Sequence, residues 1–157
     1  MVAETLKELY EETLATAPTS FEAGELFTHV TGVKPIDADT RPATPEQKEK
    51  LEALLKRREA GYPLQYLLGE WEFYSLPFKV GPGVLIPRQD TETLVDAALN
   101  VLKTMDVPTP QVLDLCTGTG CVAIAIKHNF PAAQVTAQEF SLEAYNYLIQ
   151  NIDLNKV

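Results

Sequence analysis

Apolar positions in the first part of the chain recur at helical spacing. Val2, Leu6, Leu9, Tyr10, Leu14 and Ala17 predict an amphipathic helix from residue 2 to about residue 16. Pro18 ends it, since a proline has no N–H to continue the ladder. Thr19 followed by Glu22 has the form of a capping box, and Leu26, Phe27 and Val30 carry a second helix to about Thr31. Gly32 stands where a C-terminal cap belongs. After a Pro- and Asp-containing loop, Thr44, Pro45 and Gln47 open a third helix, with Leu51, Leu54 and Leu55 as its stripe and Gly61 as its stop. Residues 1 to about 62 therefore read as a small helical bundle.

The period changes at "YLLGEWEFYSLPFKVGPGVLIP". Aromatic and β-branched residues replace the helical stripe, and Phe73 to Val80 reads as a short hairpin. "DTETLVDAALNVLK" returns to a helix, with Asp90 as its cap and Leu94, Ala98, Val101 and Leu102 as its buried side. Gln111 to Leu115 is apolar at nearly every position, as a strand covered on both faces would be. A glycine loop and a helix to about Asn129 follow. Pro131 breaks that helix, and "QVTAQE" forms the next strand. Ser141 caps a last helix, with Leu142, Tyr145, Leu148, Ile149 and Ile152 on one side. The whole is an α/β chain: a helical bundle, a hairpin from 63 to 86, and from 87 to 157 the first part of a Rossmann-like sheet.

Composition narrows the possible partners. The 157 residues carry a formal net charge of −9, which opposes general affinity for nucleic-acid backbones. No basic, then apolar, leader opens the chain, and no segment has the apolar length of a membrane span. Cys116 and Cys121 fit neither a CxxC redox pair nor a metal cluster, which suits reduced thiols and a cytoplasmic setting. His29 and His128 fall late in helices, where a cation is favoured and a structural role suffices. Trp71, Phe73 and Phe78 read as hairpin core. Glu4, Glu8, Glu11 and Glu12 read as a solvated helix face.

"VLDLCTGTGCVAIAI", residues 112 to 126, carries the chemistry. Strand, glycine loop, helix and strand make a βαβ unit, and ligands of such sheets sit beyond the C-terminal ends of the strands. Gly118 and Gly120 let the backbone turn tightly with no Cβ between it and a ligand. Glu139 ends the next strand about 20 residues on, where a carboxylate accepts hydrogen bonds from ribose hydroxyls. The residues thus suggest a bound nucleoside, against the plainer reading of a tight turn alone. A dinucleotide fingerprint is allowed, with Ala123 at its third small position. Asp114 opposes it, because a carboxylate sits poorly beside a pyrophosphate. It suits S-adenosylmethionine, which carries an ammonium and a sulfonium and no phosphate.

"DLCTGTG" resembles motif I of class I S-adenosylmethionine-dependent methyltransferases. "GVLIPRQDTETLVDAAL", with "RREAGYPLQYLLGEWEFYSLPFKV" before it, resembles the HemK/PrmC family far more specifically, continuously from about Leu51 to Asn155. Members of that family are protein-(glutamine-N5) methyltransferases acting on the GGQ glutamine of class 1 peptide-chain release factors, in the cytoplasm and without a nucleic-acid or membrane partner. The resemblance places the cofactor loop on Cys116, Thr117, Gly118, Thr119 and Gly120, with Asp114 before it. It places the ribose acid on Glu139, where the family usually has Asp: its "AVDIS" is here "AQEFS". Gln138 stands where an apolar residue is usual. "PRQDTE" matches a loop over the cofactor, with Arg88 as a charged contact. It also makes residues 1–62 a substrate-recognition domain.

The family's catalytic Asn-Pro-Pro-Tyr does not occur in this sequence. The expectation is an N-terminal piece of such an enzyme, inactive alone and binding S-adenosylmethionine weakly or not at all. Two other functions compete: a nucleic-acid adenine N6-methyltransferase, disfavoured by the acidity, and a non-catalytic module that docks a release factor.

Overall fold

A computed structural model describes residues 4–157, which divide into two compact units, one reaching Leu68 and the other running from Gly69 to Val157. The predicted helix position Val2 lies outside the described residues.

The first unit holds α1 (Leu6–Thr16), α2 (Ser20–Thr31), α3 (Pro45–Glu59) and the short α4 (Leu64–Leu68), with a 3-10 turn at Pro35–Asp37. The first helix starts later than its apolar spacing suggests, because Thr5 caps it. The Thr5 hydroxyl accepts from the Glu8 amide, and the Glu8 carboxylate accepts from the Thr5 amide at 2.8 Å. Thr44 and Gln47 form the same reciprocal box on α3. On α2 only half the box forms: Thr19 accepts from the Glu22 amide, while the Glu22 carboxylate turns to the Arg58 guanidinium. Gly32 closes α2 in the left-handed region, as expected from its place. Leu6, Leu9, Ala23, Leu26, Phe27, Leu51 and Leu54 are buried. The Tyr10 and Phe27 ring centroids lie 5.1 Å apart.

Two expectations for this unit need correction. Thr13, not Leu14, completes the inner stripe of α1. Its hydroxyl donates to the Leu9 carbonyl at 2.7 Å, so the helix satisfies it internally. The acidic face is also not simply solvated, because Glu4 and Glu12 both accept from the Lys48 ammonium.

The second unit opens with the antiparallel hairpin β1 (Glu70–Phe73) and β2 (Leu76–Lys79). Tyr74 and Ser75 make its two-residue turn with φ of 52° and 60°, the conformation that matches strand twist. A 3-10 turn at Gln89–Thr91 leads into α5 (Glu92–Thr104). Then come β3 (Gln111–Leu115), α6 (Cys121–Asn129), β4 (Gln134–Gln138) and α7 (Leu142–Asn155). β3 and β4 pair in parallel, Gln111 opposite Gln134 through Leu115 opposite Gln138. The core joins Phe73, Leu76 and Phe78 of the hairpin to Val95, Leu99 and Leu102 of α5 and Ile124 and Ile126 of α6. Phe73 and Phe78 meet edge to face at 6.1 Å.

Here too the structure corrects the sequence. α5 buries Val95, Leu99 and Leu102, while Leu94 and Val101 are exposed. Leu102 keeps its predicted place; Leu94 and Val101 also have helical spacing, and only packing distinguishes them from Val95 and Leu99. Asp90 is no side-chain cap: it lies in the 3-10 turn, and Thr91, at the cap position, makes no side-chain cap bond. α7 buries Ala144, Leu148 and Asn151, whereas Leu142, Tyr145 and Ile149 are exposed. β3 is not covered on both faces. Val112 packs toward the core, but Leu113 and Leu115 are each 59% exposed.

Candidate functional site

The glycine loop sits at the C-terminal tips of the two parallel strands. The Thr117 amide donates to the Gln138 carbonyl at 3.1 Å, extending the ladder by one step into the loop. Cys116, the residue between strand and turn, has φ of 59°, a conformation a side chain rarely adopts. Gly118 and Gly120 have φ of 60° and 82°, in the left-handed region that favours glycine. A Cβ on Gly120 would lie 2.5 Å from Leu148 Cδ1. The Gly120 amide donates to the Thr117 carbonyl at 2.9 Å, and Gly120 then opens α6 with no side-chain cap. An uncapped helix start offers its first amides to an acceptor from outside.

Glu139 faces this turn. One oxygen accepts from the Gly118 amide at 2.8 Å, and the other accepts from the Phe140 and Ser141 amides at 2.8 and 2.9 Å. These bonds, led by that from Ser141 and then that from Gly118, hold the carboxyl below its ordinary pKa against the opposing effect of burial. The extra methylene of glutamate, relative to aspartate, thus does not turn the group away from the loop. Asp114 accepts from the buried Thr117 hydroxyl at 2.5 Å, a short charge-assisted bond that fixes both side chains.

A cavity of about 440 Å³ lies against the loop. Asp114, Cys116, Thr117, Gly118 and Thr119 line it on one side, and Leu85, Ile86, Pro87 and Arg88 on the other. Of the "PRQDTE" segment, Pro87, Arg88 and Thr91 line this cavity. Glu139 is not part of that wall; it meets the loop from the β4 side. Gln138 is exposed. Burial pushes the Cys121 thiol pKa up. His29 and His128 lie in the last turns of α2 and α6.

Two residues near the loop escaped the reading of the sequence. Phe140, directly after Glu139, is fully exposed. An aromatic beside a strand-tip carboxylate is the signal that could have marked it. Asn151 is fully buried on α7, and a polar residue in step with Ala144 and Leu148 was its sign. Among the described residues, no helix is long and apolar enough to cross a membrane.

A helical unit, and then a glycine turn at the tips of a parallel βαβ unit, define an α/β protein of Rossmann-like type. Residues 4–69 match the PrmC N-terminal domain. The chain is 41% identical to the release factor glutamine methyltransferase of Thermodesulfovibrio yellowstonii over 87% of its own length and 50% of the relative's. It is 37% identical to that of Streptomyces coelicolor over 87% of its length and 48% of the relative's, and 48% identical to that of Vibrio cholerae over 64% and 34%. The resemblance seen in the sequence is thereby shown: the chain carries a PrmC N-terminal domain and is similar over most of its length to release factor glutamine methyltransferases, the HemK/PrmC family. It spans about half the length, or less, of the curated relatives it matches.

Proposed function

We propose that this chain supplies the helical domain and the cofactor-binding part of an S-adenosylmethionine-dependent protein-(glutamine-N5) methyltransferase acting on the GGQ glutamine of class 1 release factors. The observation that carries the reading is the Glu139 carboxylate bonded to the Gly118 amide across the strand tips. Oε1 already accepts two amides, while Oε2, bonded only to the Gly118 amide, keeps a lone pair for a ribose hydroxyl. Phe140 offers a flat apolar face beside it for a base. Asp114, held by Thr117 at the cavity wall, suits the cationic end of a methyl donor and opposes a pyrophosphate. Gly118, Thr119 and Gly120 let the donor approach the backbone, and Cys116 and Thr117 set the turn. Leu85 to Arg88 screen the site from water, with Arg88 as the charged contact.

When bound, S-adenosylmethionine supplies an electrophilic methyl group. The residues of this chain hold and orient it. The Asn-Pro-Pro-Tyr that would orient the glutamine amide is not among them. In this reading residues 1–62 recognise the release factor in the cytoplasm, 63–86 form a hairpin linker, and 87–157 form the partial cofactor domain.

Two measurements test this. Titration of the 157-residue chain with S-adenosylhomocysteine should move the amides of Leu85, Ile86 and Arg88 and of residues 116–120 and 139–140, with roughly millimolar affinity. Shifts elsewhere, or none, would sink the cofactor site, and micromolar binding would overturn the expected weakness. A chimaera in which this chain replaces the matching half of the Thermodesulfovibrio yellowstonii relative should methylate a release factor at its GGQ glutamine. A folded chimaera that binds cofactor and leaves the glutamine unmodified would refute the reaction assigned here.

A further inference from the structure

Asn151 makes three hydrogen bonds with 0% of its surface exposed. Its carboxamide oxygen accepts from the Lys79 amide of β2 at 2.6 Å. Its nitrogen donates to the Lys79 carbonyl at 3.2 Å and to the Thr119 carbonyl at 2.9 Å. One side chain therefore joins the hairpin to the glycine loop. A buried amide is costly unless each polar atom finds a partner, and here each does.

The Thr119–Gly120 peptide is the group that gains. Peptides next to glycine reorient with little steric resistance. This one is held at both ends: Asn151 donates to its carbonyl, and its N–H donates to the Thr117 carbonyl at 2.9 Å. Because the peptide is planar, fixing both ends fixes the plane. Rotation would break two bonds at once and leave the Asn151 nitrogen short of a partner in the interior. The same helix makes room for the hairpin side. Gly81 lies directly under the Tyr147 hydroxyl, and Asn155 donates to the Pro77 carbonyl at 2.9 Å.

We propose that Asn151 is a positioning residue: its buried carboxamide locks the Thr119–Gly120 peptide and makes the shape of the glycine loop depend on the hairpin strand β2. Its consequence for cofactor binding rests on the function proposed above; its effect on the loop does not.

Backbone amide exchange in the 157-residue chain separates the two. Asn151→Asp keeps the acceptor for Lys79 and loses both donated bonds. It should speed exchange at Gly120 about tenfold or more relative to amides in the middle of α5 and β3. Asn155→Ala cuts a tie between α7 and the hairpin, and a bond to the Asn151 backbone carbonyl, while leaving the Asn151 carboxamide and the loop untouched, and should leave Gly120 at its wild-type rate. Equal acceleration throughout the unit in Asn151→Asp would reduce Asn151 to a general structural residue and overturn the proposal. So would no acceleration at all. Should that variant not fold, the wild-type chain decides: the Asn151 Nδ2 protons should be strongly protected, and exchange as fast as an exposed asparagine's overturns the proposal. S-adenosylhomocysteine added to wild type and variant is the second arm, with the loop response about tenfold weaker in Asn151→Asp. A wild-type chain that ignores S-adenosylhomocysteine refutes the cofactor reading and leaves the exchange result standing.

Discussion

The two units use the same kind of sequence signal to different ends. In the helical unit the inner stripes of α1, α2 and α3 meet one another, and Leu26, Phe27 and Leu51 are sealed. Its large exposed apolar residues, such as Phe21 and Ile36, are single. In the sheet unit the covered side is equally tight, with Phe73, Phe78 and Val95 sealed. Leu113 and Leu115, two residues apart on one face of β3, are nevertheless exposed, and Leu94 and Val101 of α5 are exposed as well. Two large apolar side chains adjacent on one strand face form a pair rather than isolated exposures. The lesson concerns periodicity: it reports that a face seeks burial, not that the described residues provide it.

The comparison breaks most sharply in the cores. Phe27→Ala and Phe78→Ala should each cost about 3–5 kcal/mol, read from denaturant unfolding with amide exchange assigned to each unit. A loss under about 1 kcal/mol at either site would mean that its core is looser than the structure shows. Gly120→Ala should cost about 1–2 kcal/mol or more, since it strains a positive φ and drives a methyl against Leu148. Thermal melts of this variant beside Gly32→Ala, where a Cβ meets nothing, separate the clash from the backbone strain. Thr44→Ala should remove about 1 kcal/mol by opening the capping box of α3, visible as lost helicity.

Acid tests the loop. The folded pKa of Glu139 lies below its ordinary value of 4.5, so its bonds stabilise the fold above that pH. That contribution fades as pH falls through the lower folded value. Between about pH 5 and about pH 3 the wild type should lose more stability than Glu139→Gln. Parallel profiles would show that the carboxylate does not hold the turn. The smallest effect belongs to the open face: Leu113→Ser should change stability by only about 0.5 kcal/mol while reducing self-association in light scattering. A loss on the scale of Phe78→Ala would show that the face is covered.

Local chemistry made much of this protein legible in its sequence. The caps at Thr44 and Ser141, the stop at Gly32, the hairpin core at Phe73 and Phe78, and the βαβ order with Gly118, Gly120 and Glu139 rest on backbone geometry within a few residues. What failed was the choice between equivalent neighbours. Leu94 and Val95 lie next to each other on α5, and spacing alone cannot tell which one turns inward. Leu14 lost its place to Thr13 because a threonine can return its hydroxyl to its own helix.

Some matters were decided only in three dimensions. That Glu139 reaches the Gly118 amide depends on the parallel register of β3 and β4. That Asn151 bridges Lys79 and Thr119 depends on α7 lying across two segments far apart in the chain. Sequence by itself determined where the chain turns, where α2, α3 and α7 begin and which residues carry charge to the loop, because those follow from torsion angles and nearby hydrogen bonds. Tertiary structure decided which side of each element is dry and which distant groups meet, because burial and long-range bonding belong to the packed whole.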